Sequence, residues 1–106
     1  MVGRVSALAL GLALACARVA AQSFPPEQVR KGAQLYEAHC QSCHGPHLAN
    51  PPWAADLRTF PREDHARFVD TVTYGKRGMP PWDDVLKPDD IEALWAYVVA
   101  GEGKKP

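Results

Sequence analysis

The apolar positions of this chain fall into three helical stripes separated by stretches without period. Val29, Ala33 and Tyr36, with Leu35 alongside, recur at helical spacing up to about His39, which predicts a first helix ending where two cysteines begin. From Gly45 to Pro61 the period is lost, and Pro46, Pro51, Pro52 and Pro61 punctuate a long loop around Trp53 and Leu57. A loop of that length in a small domain is usually wrapped around something. Phe68, Val69 and Val72 mark a second helix from about Pro61 or Arg62 to Tyr74, with Gly75 as its stop. The stretch "GKRGMPPW" that follows is irregular. A closing helix is the clearest of all: Pro88 suits its first turn, Asp89, Asp90 and Glu92 complement the positive end of its dipole, and Gly101 ends it. Its apolar positions are Ile91, Leu94, Trp95, Val98 and Val99, with Tyr97 alongside. No segment alternates like a strand and there is no internal repeat, so the expected fold class is all-α, a small domain of three or more helices with long loops.

The N-terminus belongs to a different class of segment. Residues 1–21 carry one early basic residue, Arg4, an apolar run from Val5 to Ala15 and the small-residue ending "VAAQ", the layout of a cleavable signal peptide cut between Ala21 and Gln22. The run is shorter than the ~20 residues a membrane span needs, so no transmembrane segment is expected after processing. Cys16 lies in this segment and raises acylation as the alternative, but in the preceding "ALA" Leu14 stands one place too late for a good lipid-attachment signal. A periplasmic location follows as the expectation, with residues 22–106 as one folded domain.

Without residues 1–21 the chain keeps 10 of its 12 Lys and Arg, having lost Arg4 and Arg18, against 12 Asp and Glu, a net charge of −2. Nothing resembles the basic stripe of a nucleic-acid binder. Its 85 residues make only a marginal core unaided, so a covalent staple or a large apolar cofactor is expected.

The candidate for that role is "EAHCQSCHGPH", residues 37–47. With 3 Cys and 4 His in 106 residues, a C-x-x-C-H match arises by chance with a probability of about 0.003. Four chemistries use such a pair. A redox dithiol wants a βαβ setting that this chain lacks. A zinc site would have to complete Cys40 and Cys43 from His39, His44, His47 or His65. A disulfide would close a tiny loop and leave His44 without a role. Attachment of c-type haem uses every residue: Cys40 and Cys43 each add a thiol across a haem vinyl group, and His44 is thereby held under the iron as an axial ligand. The first three readings stay open at this point, each leaving part of the pattern unexplained.

With "CQSCHG" near the first helix, "GKRGMPPW" in a later loop and "KPDDIEALWAYV" in the closing helix, the chain resembles the class I cytochrome c family over nearly all of residues 27–101. The resemblance implies one covalent haem c, with Met79 in the loop as the second axial ligand opposite His44. It also implies a close helix crossing at Gly32 and Tyr36 against Leu94 and Tyr97, and a backbone carbonyl in "NPPW", Pro51 or else Pro52, accepting the other ring N–H of His44. Trp53 and Trp82 are candidates to cover the haem, Lys76 and Arg77 to assist docking. His39, His47 and His65 are expected to take no part in ligation.

Filled axial positions leave no open site for substrate, so the implied function is single-electron transfer without catalysis by this chain, as a monomer. The expected donor is a dehydrogenase or membrane complex and the acceptor an oxidase or reductase; "DLRTFPREDHARFVDTV" followed by "MPPW" looks like small cytochromes that serve periplasmic quinoprotein alcohol dehydrogenases, which adds such a dehydrogenase as a candidate donor. The alternatives are a permanent haem subunit of a larger oxidoreductase, and a haem enzyme or sensor in which Met79 is displaceable.

Overall fold

Four helices in the order of the chain, joined by turns and with no strand among the described residues, make up the fold in a computed structural model that describes residues 23–49 and 52–101. The cleavage site and Cys16 lie outside the described residues. Helix α1 (Pro26–His39) starts on Pro26, whose missing N–H costs nothing in a first turn, and carries Glu27 at its positive end. A single turn, α2 (Gln41–His44), follows it after a kink at Cys40. Helix α3 (His65–Tyr74) stops at Gly75, and α4 (Pro88–Ala100) stops at Gly101. Short 3₁₀ turns at Pro46–Leu48 and Leu57–Thr59 interrupt the loop between α2 and α3. Helix α3 begins later than its composition suggests, because Pro61–Asp64 closes a separate turn through the Asp64 N–H and the Pro61 carbonyl, 3.1 Å.

The centre of the molecule is α4, which is buried nearly all round: Ile91, Ala93, Leu94, Trp95, Ala96, Tyr97, Val98 and Val99 are inaccessible. Its N-terminus is tied by the Asp90 carboxylate, which accepts the backbone N–H of Lys87 at 2.9 Å and pairs with Lys31 of α1 at 3.1 Å. Those two donors, the backbone N–H first, hold the Asp90 carboxyl below its ordinary range.

Helices α1 and α4 cross in direct backbone contact. A Cβ placed on Gly32 would collide with the Ala93 carbonyl oxygen and lie 2.8 Å from the Tyr97 Cβ, so only glycine fits. This is the crossing that the resemblance implied, with the Tyr36 and Tyr97 rings 5.2 Å apart beside it. On the opposite flank α3 packs Phe68 against Trp95 at 5.2 Å, and Phe60 meets both edge-on at 5.7 and 6.0 Å. Among the described residues no helix is long and apolar enough to cross a membrane.

Candidate functional site

The cysteine pair sits where α1 ends. The Cys40 N–H still bonds to the Tyr36 carbonyl at 2.8 Å, but at φ −117° and ψ −28° Cys40 tilts the chain out of the helix. Its own carbonyl then accepts the N–H groups of Cys43 and His44, at 3.2 and 2.9 Å, and starts α2. Within that turn Cys40, Cys43 and His44 occupy positions i, i+3 and i+4, which face the same side. Gly45 ends the turn at φ 83°, and His47 and Leu48 continue the reversal in the left-handed region, at φ 54° and 65°. Leu48 is nevertheless fully buried.

The ring of His44 is oriented by a carbonyl, as expected, but by a different one. Its Nδ1–H donates to the Ala55 oxygen at 3.2 Å. Among the described residues it is Ala55, not Pro52, that accepts; the expected Pro51 lies outside the described residues. The reason is the turn at Leu57–Thr59: the Asp56 carboxylate accepts the Arg58 N–H at 3.0 Å and grips the Arg58 guanidinium at 3.0 and 3.2 Å. Thr59 Oγ1 donates to the Asp56 carbonyl at 3.1 Å, so the turn's internal bonds start at Asp56 and leave the Ala55 carbonyl to the imidazole. With Nδ1 committed as donor, Nε2 keeps its lone pair for a metal.

Met79 lies on a loop held at three points. Lys76 and Met79 exchange both backbone hydrogen bonds, each 3.0 Å, around a tight turn in which Arg77 takes φ 56°. Gly75, at φ 80°, lets the loop fold back against α3, since a Cβ there would lie 2.6 Å from the Met79 oxygen and 2.8 Å from the Pro81 nitrogen. The Trp82 N–H donates to the Val72 carbonyl at 2.9 Å, and its ring lies 5.3 Å from that of His39. Trp82 therefore ties the methionine loop both to α3 and to the end of α1, whereas Trp53 stands largely in solvent. Lys76 and Arg77 are exposed, as docking residues would be.

His65 is placed away from this loop: its Nε2 pairs with the Glu92 carboxylate at 2.9 Å and its ring lies 5.2 Å from Trp95. His47 is exposed on its turn. Sequence reasoning did not reach Ala55, the Asp56–Arg58 pair or the fit of Gly75 against Met79. An Asp two residues before a basic residue at the end of a proline-rich loop was the available sign of the capped turn.

The donor chemistry separates the remaining readings. Burial, with the Cys43 charge second, pushes the Cys40 thiol up to about 11. A redox dithiol needs the opposite shift. Among the described residues no three His, Cys, Asp or Glu side chains converge as a zinc site requires. Two thiols and an imidazole on one turn, a thioether on a pinned loop, and partly buried apolar side chains packed against the core, Leu35, Leu57, Val69 and Trp82 among them, fit a covalently held haem.

Comparison with known proteins agrees. A family model described as cytochrome c oxidase, cbb3-type, subunit III matches residues 27–98. The chain is 32% identical over 89% of its length to cytochrome c6 of Nostoc sp., covering 88% of that protein. It is 38% identical over 73% of its length to quinohemoprotein alcohol dehydrogenase ADH IIB of Pseudomonas putida, of which it spans only 12%. To the cbb3-type cytochrome c oxidase subunit FixP of Bradyrhizobium sp. it is 34% identical over 70% of its length, spanning 28% of that subunit.

Proposed function

The chain belongs to the cytochrome c family, and from that premise we propose that it is an exported mono-haem carrier passing single electrons between a periplasmic dehydrogenase or membrane complex and a terminal acceptor. Electron transfer through haem c is the family's chemistry, and the haem, once bound, supplies the one-electron couple. What this chain adds is placement. Cys40 and Cys43 would anchor the group covalently, and His44, through Nε2, and Met79, through its thioether, would hold its iron. The observation that supports the reading is the His44 Nδ1–H bond to the Ala55 carbonyl, which selects the tautomer whose Nε2 lone pair is available to iron. The pinned Met79 loop supports a filled second position, and a soft thioether there favours the reduced state.

The export step rests on residues 1–21, and the partners on likeness to proteins of which this chain is a small part. A second reading, a permanent haem subunit or domain of a larger oxidoreductase, is favoured by that same likeness to alcohol dehydrogenase and oxidase subunits.

One experiment on the haem-loaded protein from the periplasmic fraction tests these points together. The chain should begin at Gln22, run as a free monomer and bind carbon monoxide slowly, if at all, while Met79→Ala binds it readily. The same variant should lose the sulfur-to-iron charge-transfer absorption and fall in potential by on the order of 0.1 V. An acylated Cys16 contradicts the soluble carrier, co-purification with a larger chain through turnover makes it a subunit, and rapid carbon monoxide binding by the unsubstituted protein makes Met79 displaceable.

A further inference from the structure

The reversal that follows His44 is costly to hold. Gly45, His47 and Leu48 all take positive φ, at 83°, 54° and 65°, and two of the three are residues with a Cβ that disfavours it. Such a segment persists only where its surroundings over-determine it. One side chain does so from outside the turn. Tyr36, 1% exposed on α1, donates its hydroxyl to the Gly45 carbonyl. The phenol thus grips the turn at its first left-handed residue. It cannot swing away, because its ring is packed against Tyr97 at 5.2 Å beside the Gly32 crossing.

We propose that Tyr36 is the positioning residue for His44: through its hydroxyl the α1–α4 crossing holds the left-handed turn at 45–48, and with it the backbone from which the imidazole projects. The role rests on the reading of His44 as an axial ligand. Ring and hydroxyl do separate work here. The ring fills the core, while the hydroxyl satisfies a carbonyl at the end of a helical turn, where backbone groups lack partners within the helix. Ala55 holds the imidazole from the ring side and Tyr36 from the backbone side, so loss of either leaves it free to tilt.

Tyr36→Phe isolates the hydroxyl, since it keeps the ring and its packing. Haem-loaded protein is compared with this variant and with Ile91→Val, which trims the buried face of α4 without touching the turn. Intact mass after denaturation first reports covalent haem; its absence in the unsubstituted protein overturns the ligand reading itself, and this role with it. With haem present, Tyr36→Phe should speed amide exchange at 44–48 about tenfold more than elsewhere, the loss of one hydrogen bond's worth of local protection. It should also displace the iron-shifted ring resonances of His44 and move the reduction potential. Ile91→Val should accelerate exchange evenly and leave those resonances in place. If Tyr36→Phe behaves like Ile91→Val, the hydroxyl is merely structural and the proposal is wrong.

Discussion

At the α1–α4 crossing Tyr36, Leu94 and Val98 are all but sealed from solvent, whereas in and beside the loops Trp53, Tyr74 and Val85 are 76%, 72% and 55% exposed. The two regions are held by different forces. The crossing is maintained by apolar burial, at roughly 25 cal/mol per Å², and by a glycine that brings the backbones into touch. The loops are maintained by hydrogen bonds to the backbone: the Lys76 and Met79 exchange and Trp82 to Val72 between main-chain groups, and the side chains of His44 to Ala55 and Tyr36 to Gly45. A short chain cannot close a core on every side, so it completes one scaffold from its own side chains and leaves a half-buried apolar rim. A covalently attached, largely apolar cofactor is the natural complement of that rim.

The sharpest way to break this division is to remove the covalent anchors. Cys40→Ser with Cys43→Ser should abolish retention of haem through denaturation and acid–acetone extraction, read by the pyridine haemochrome spectrum of the precipitated protein. Loss of order should fall first on the loops. Haem that stays with the doubly substituted chain after extraction would contradict the thioether assignment outright.

Gly32→Ala attacks the scaffold instead. The colliding atoms are the Ala93 carbonyl and the Tyr97 Cβ, which belong to or adjoin backbone and cannot rotate away, so the helices must separate. Overpacking of this kind should cost about 2–3 kcal/mol and lower the thermal midpoint by on the order of 10–20 °C. Because Tyr36 links the crossing to the turn after His44, the haem spectrum should change along with the helix signal. A loss below about 0.5 kcal/mol would mean that the crossing is not what holds the fold.

The smallest effect concerns Asp90, at the junction of α1 and α4. Its carboxyl is held below the ordinary range by the Lys87 N–H and then by Lys31, so the folded state favours its charged form. The resulting stability is fully present above the unfolded value, near pH 4, and is lost as pH falls through the lower folded value. Asp90→Asn should therefore cost about 0.5 kcal/mol at pH 7, modest because the pair is partly solvated, and the difference from the unsubstituted protein should shrink below about pH 4. Thermal denaturation at the two pH values checks it; an equal gap at both would remove the charge from the account.

Helix α4 was legible in the sequence to its last residue, since Pro88, two aspartates and Gly101 bracket an unbroken apolar pattern. The glycine at 32 was legible only through resemblance, because nothing in its own neighbourhood says what it will touch. Helix α3 was misread at its start, where a proline turn competed with helix at Pro61–Asp64 and won by one local hydrogen bond.

The candidate site divides in the same way. The order of Cys40, Cys43 and His44 is chemistry between near neighbours, and a turn of three to four residues presents them together wherever it sits. By itself, therefore, the sequence determined the three main helices and the haem-type motif, and through the family resemblance it marked Met79 as the partner thioether worth testing. Only the tertiary structure decided that Ala55 receives the His44 ring, that Gly75 seats the Met79 loop and that Tyr36 grips the strained turn. Periodicity and spacing are written between residues close in sequence; these last contacts join segments whose meeting depends on how the helices pack, and no local pattern encodes that.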